Sequence, residues 1–193
     1  MSDKEDILAQ IESLEKSSDK SGGTNDKQEL KAPPVDKSFL EKIGDRTATI
    51  ADVPEALMEE WTRCMLGDIP FVYKVSVLKG KASFIFSDPT TEQSREMRAV
   101  SERLGTDSIA QTQLSIIAFL RGISGTKTMD LPWPDKLSTL ANGGFVTAKD
   151  ISILYEDMLS KLPRGYQRLI VGAWNIYSAL ISILTKESMP DSF

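Results

Sequence analysis

The chain has 193 residues, 40% of them hydrophobic and 26% charged, with a net charge of −5 and a pI near 4.9. That composition suits one ordinary folded domain with a tail and excludes disorder throughout, and the acidic balance makes nucleic acid a poor partner. There is no histidine and only one cysteine, Cys64, which removes the commonest general base and metal ligand, excludes an internal disulfide and suits a reducing compartment.

The first residues, Met1 to Asp6, are too acidic and polar for a signal or transit peptide, so a cytoplasmic protein is expected. Ser2 and Glu5 fit a capping box. Behind them Ile7, Leu8, Ile11 and Leu14 recur at helical spacing, which predicts a short amphipathic helix within residues 1–17. Residues 18–37 combine Gly22-Gly23 and Pro33-Pro34 with charges and few large apolar side chains. They read as a flexible linker, either a passive tether or an arm that lets the first helix reach a partner. A single mostly helical domain is expected over 38–193.

Within it, Ser38 to Glu41 repeat the capping-box pattern, and Gly44 stops a short helix. Asp52 or Val53 caps the next, with Pro54 in its first turn, Ala56, Leu57, Trp61, Cys64 and Met65 on its apolar face and Gly67 as terminator. Cys64 reads as a small buried hydrophobe, since no basic neighbour activates it. Residues 71–86 change period. Phe71, Tyr73, Val75 and Val77 alternate, Lys79-Gly80-Lys81 turns, and Ala82, Phe84 and Phe86 alternate again, which predicts a β-hairpin. Two strands alone are marginal, so the hairpin must pack on helices or pair with a neighbouring subunit.

Asp88-Pro89 opens a helix carrying Met97, Val100 and Leu104, and Asp88 reads as its cap. Thr106 or Asp107 caps another, which Gly122 and Gly125 stop. Trp133, between Pro132 and Pro134, is either a rigid exposed anchor of the kind enriched at interfaces or part of a loop packed on the helices. One short helical turn holds Leu137 and Leu140. Thr147 to Asp150 form a capping box ahead of Ile151, Leu154, Met158 and Leu162. Pro163-Arg164-Gly165 then joins a last helix from about Tyr166 to Glu187 as an antiparallel helical hairpin. Leu169 to Leu184 lacks charges but falls short of the roughly 20 residues of a bilayer span, and Asn175, Ser178 and Ser182 give it a polar stripe. No membrane partner is expected.

The fold class is therefore mainly α with one β-hairpin (α+β), a C-terminal antiparallel helical hairpin and a flexible N-terminal arm. No phosphate loop, dinucleotide fingerprint or nucleophile elbow occurs. Gly122-Ile123-Ser124-Gly125 is more simply a helix-ending turn than an anion site. No catalytic residue, metal site or cofactor is assigned, and an enzyme is not expected.

The order of elements resembles small tailed-bacteriophage proteins that act as tail assembly chaperones or baseplate-hub assembly factors. The resembling part spans about residues 70–193. It includes Val75 to Lys81 with Phe84-Ile85-Phe86, the charged helix at Thr91 to Ser94, Leu114 to Gly125, and the helical hairpin with the terminal Glu187 to Phe193. The N-terminal helix and linker have no counterpart in it. The resemblance implies a non-catalytic factor that binds a tail or baseplate protein during virion assembly in the host cytoplasm. A structural subunit retained in the virion and a cellular adaptor are the alternatives. Ile7, Leu8, Ile11, Leu14 and Trp133 are the candidate partner-binding residues, and the hairpin is a route to self-association.

Overall fold

In the computed structural model, which describes residues 37–44, 47–125 and 128–188, the alternating stretch forms the expected hairpin. β1 (Val72–Val77) pairs antiparallel with β2 (Ala82–Ser87), setting Tyr73 opposite Phe86 and Val75 opposite Phe84. Period-two geometry sends these four side chains to one face, where all are buried, and leaves Lys74 and Ser76 exposed on the other. The connection is tight: Leu78, Lys79 and Gly80 all take the left-handed conformation, with φ of 53°, 58° and 84°.

The sheet does not stop at the hairpin. β3 (Leu120–Ser124) pairs with β2, and the two-residue β4 (Met129–Asp130) pairs with β3, giving an antiparallel order β1-β2-β3-β4. This corrects the reading of Gly122 to Gly125 as a helix-ending turn. The preceding helix ends at Phe119, and the chain enters a strand directly. Gly122 serves strand approach: a Cβ there would stand 2.8 Å from the Met129 carbonyl oxygen. Gly125, at φ 151°, sits where a Cβ would run into the Tyr166 hydroxyl and the Lys81 carbonyl.

The helices are α1 (Lys37–Gly44), α2 (Glu55–Gly67), α3 (Thr91–Leu104), α4 (Ser108–Phe119), α5 (Asp135–Asn142), α6 (Ala148–Lys161), the single turn α7 (Arg164–Gln167) and α8 (Ile170–Ser188), with a 3-10 turn at Ile50–Asp52. Two predicted caps are present. Asp107 accepts the Ile109 and Ala110 amides, and Thr147 and Asp150 form a reciprocal box. Three others shift. α1 already includes Lys37, so Ser38 lies inside it. Pro54 is the N-cap of α2, while Asp52 closes the 3-10 turn by accepting the Thr49 amide and hydroxyl at 2.9 Å and the Lys42 ammonium. Thr90, not Asp88, caps α3 and exchanges bonds with Gln93. At the end of α2 the left-handed residue is Asp68 (φ 50°), one position beyond the expected Gly67.

The short connection of the predicted C-terminal helical hairpin is present, and the main contacts of its two helices go to different partners: α6 packs on α4, and α8 packs on β1, β2 and α1. Apolar area explains the split. Ile170, Ala173, Tyr177, Leu180 and Leu184 of α8 are all buried, and Tyr177 stacks on Phe86 with ring centroids 4.9 Å apart. The aromatic face of the sheet offers such a helix more area than a single neighbouring helix does. Gln167 instead satisfies the end of α6, donating to the Leu159 and Leu162 carbonyls at 2.8 and 2.9 Å. No helix among the described residues is long and apolar enough to cross a membrane.

Candidate functional site

Trp133 sits in the segment that follows β4, and that segment is pinned at both ends. The Leu131 amide donates to the Arg121 carbonyl at 2.7 Å, and α5 begins two residues after Trp133. The indole is half-buried and held at edge and face. Its Nε1–H donates to Glu96 Oε2 at 2.9 Å, which also accepts the Ser138 hydroxyl at 2.8 Å. The Arg121 guanidinium lies 5.1 Å from the ring centroid, within cation–π range. Trp133 is thus packed, and it also lines a surface cleft of about 480 Å³.

The cleft lies between β4 with its following segment on one side and α4 and α6 on the other. Ile117, Leu120, Met129, Leu131, Leu154 and Met158 supply its apolar wall, with Pro132 and Pro134 flanking the indole. Asp130, Asp135, Lys136, Asp157 and Lys161 form an exposed charged rim, in which Lys161 pairs with Asp157 at 3.2 Å. An apolar floor with a mixed polar rim is the ordinary anatomy of a protein-binding patch, and two methionines give it an adaptable surface.

Arg121 went unweighed in the sequence, although a single cation inside an apolar run was its signal. Its Nη1 donates to the Ile117 and Leu120 carbonyls at 3.4 and 2.9 Å, and Nη2 donates to the Ala118 carbonyl. A cation on the last carbonyls of α4 meets the negative end of the helix dipole. No carboxylate lies within ion-pair distance of it among the described residues. Burial pushes the guanidinium down to about 10, so Arg121 stays charged at neutral pH and stabilises the wall of the cleft.

The remaining chemical groups are accounted for locally. Cys64 is buried, its thiol donates to Glu60 Oε1 at 3.7 Å, and burial followed by the Glu60 charge pushes its pKa up. That is the opposite of an activated thiol. Asp88 is no helix cap. It is half-buried, its Oδ1 accepts the Tyr177 hydroxyl at 2.9 Å, and burial raises its carboxyl above the usual range. No group of three or more acidic or cysteine side chains among the described residues has metal-holding geometry. Ile7, Leu8, Ile11 and Leu14 lie outside the described residues, so of the predicted partner-binding residues only Trp133 has a described position. No family model, no curated protein and no solved structure matches the chain.

Proposed function

We propose that this chain is a non-catalytic protein-binding factor, and that the cleft beside Trp133 receives an apolar segment of its partner. The observation behind this reading is the combination of an open apolar cleft with a wall held rigid from behind, by Arg121 on the ring face and Glu96 on the indole edge. A pre-organised wall lowers the ordering cost of binding. The sequence resemblance suggests the partner class: a tail or baseplate protein of a tailed bacteriophage, bound during assembly. The hairpin is the weaker surface. β1 is an edge strand, but exposed Lys74 stands in its middle, and an edge lysine discourages pairing with another strand.

The test uses the full tagged chain in cells assembling particles. Wild type should co-purify with a tail or baseplate protein, and Met129→Asp, which puts a charge into the cleft wall, should lose that protein while the chain stays folded by circular dichroism, at a somewhat lower melting temperature. Unimpaired recovery by the variant would sink the cleft assignment, and recovery of cellular proteins alone would favour the adaptor alternative. Mass spectrometry of purified particles separates an assembly chaperone, which is absent from them, from a retained subunit.

A further inference from the structure

The sheet has two faces, and α8 packs on one of them. Tyr73, Val75, Phe84, Phe86 and Ile123 are buried on that inner face. The register sends the alternate residues to the outer face. One outer row, from β1 to β4, reads Lys74, Ile85, Gly122, Asp130, and the next reads Ser76, Ser83, Ser124. Lys74 and Asp130 are exposed at the two ends of their row, and neither has an ion-pair partner among the described residues. Ile85, between them, is half-buried and leans over Gly122: its Cδ1 lies 3.6 Å from where a Cβ on that glycine would stand.

A row with a cation at one end and an anion at the other is complementary to its own reverse. A twofold axis that runs along the strands, between two such faces, reverses the row. It sets Lys74 of each copy over Asp130 of the other and faces serine with serine. It also brings the two Ile85 side chains together beside the axis, over glycines that carry no side chain to obstruct them. A twofold axis across the strands would instead set lysine on lysine and aspartate on aspartate, which repulsion disfavours.

We propose that this outer face is the contact between two copies of the chain, stacked sheet on sheet at about 10 Å and not joined at the β1 edge. Strands about 4.8 Å apart, over the length of β1, cover on the order of 300 Å² per copy. A standard interface takes roughly 800 Å² from each partner, so this pair is weak and forms at high concentration. Asp130 also stands on the rim of the Trp133 cleft. The test therefore reads self-association of the purified chain, where the partner proposed for that cleft is absent.

Sedimentation equilibrium of the full-length chain is the experiment. At roughly 0.1–1 mM protein and low salt the wild type should populate a dimer, and about 0.5 M sodium chloride should weaken it. Lys74→Asp and Asp130→Lys each turn two attractions into two repulsions, and each should dimerise roughly tenfold or more weakly. Mixed one to one, the two variants should pair again, because the two acidic positions of one chain then meet the two basic positions of the other. Circular dichroism checks that both exposed positions tolerate the change. If either single variant does not fold, the double variant Lys74→Asp/Asp130→Lys, which exchanges the charges within one chain, should dimerise as wild type does. A wild type that stays monomeric, single variants that dimerise like it, a mixture no stronger than its components, or a double variant that stays monomeric would overturn the proposal.

Discussion

Arg121 and Asp88 both sit at the margin of the hydrophobic interior, near the same tyrosine, and the fold treats them in opposite ways. Arg121 turns inward: three carbonyls at the end of α4 accept from it, and the Trp133 ring covers it. Asp88 accepts from the Tyr177 hydroxyl and from the Phe71 backbone, and it lines an open groove. Burial lowers the pKa of the first and raises that of the second, so removal from water penalises both charges. The difference lies in compensation. Arg121 is compensated by carbonyls and a ring that cover it, whereas Asp88 is compensated by a hydroxyl and a backbone amide at the edge of a groove.

The largest effect comes from removing what the two regions share. Tyr177 stacks on Phe86, and Phe86→Ala opens a cavity in the aromatic face of the sheet. It should cost about 3–5 kcal/mol in urea unfolding, and a loss below about 1 kcal/mol would mean that the face is not the core.

Arg121→Lys comes next. It keeps the charge but loses the planar fork and the ring stack, so a cost of about 1–3 kcal/mol is expected. A variant as stable as wild type would show that the carbonyl contacts are dispensable and would erase the contrast with Asp88.

Asp88→Asn should have a small effect on stability in acid and a distinct one on its pH dependence. The folded-state pKa of Asp88 lies above the ordinary 3.8. Its contribution is therefore fully present below that value and is lost as pH rises through the raised folded value. Melting temperature against pH should fall less steeply across this window in the variant than in wild type. Asp52, held down to about 2 chiefly by the Lys42 ammonium and then by Thr49, has the reverse sign. Its contribution is present above 3.8 and fades toward pH 2, so an acid-side loss should persist in the Asp88 variant.

The smallest change concerns two tyrosines. Tyr177 has a partner for its hydroxyl, while the Tyr73 hydroxyl is buried with none among the described residues. Tyr73→Phe should be neutral or stabilising by up to about 1 kcal/mol. A clear destabilisation would point to an acceptor or an ordered water that reaches the hydroxyl.

Local pattern carried much of this fold. The period-two alternation of Phe71 to Phe86 located the hairpin and its buried face, and the Asp107 and Thr147 caps were readable because each bonds amides two or three residues away. What escaped depends on distant contacts. Gly122 reads as a stop signal, yet its need for space comes from Met129 crossing it in β4. Asp88 before a proline looks like a cap, but its partner is 89 residues further on. Of the candidate site, the sequence named Trp133 and left its role open between anchor and packed loop. The deciding contact, Glu96, comes from another helix 37 residues earlier, beyond the reach of periodicity.

Site-specific crosslinking tests the binding role most directly. A photoreactive phenylalanine analogue is placed at Lys136, on the rim of the Trp133 cleft, and in a second chain at Lys74, on the edge strand. Both are irradiated in particle-assembling cells, and adducts are identified by mass spectrometry. A tail or baseplate protein should crosslink from Lys136 and not from Lys74. Adducts from Lys74 alone, equal adducts from both, or none from Lys136 would contradict the assignment of this cleft as the binding surface.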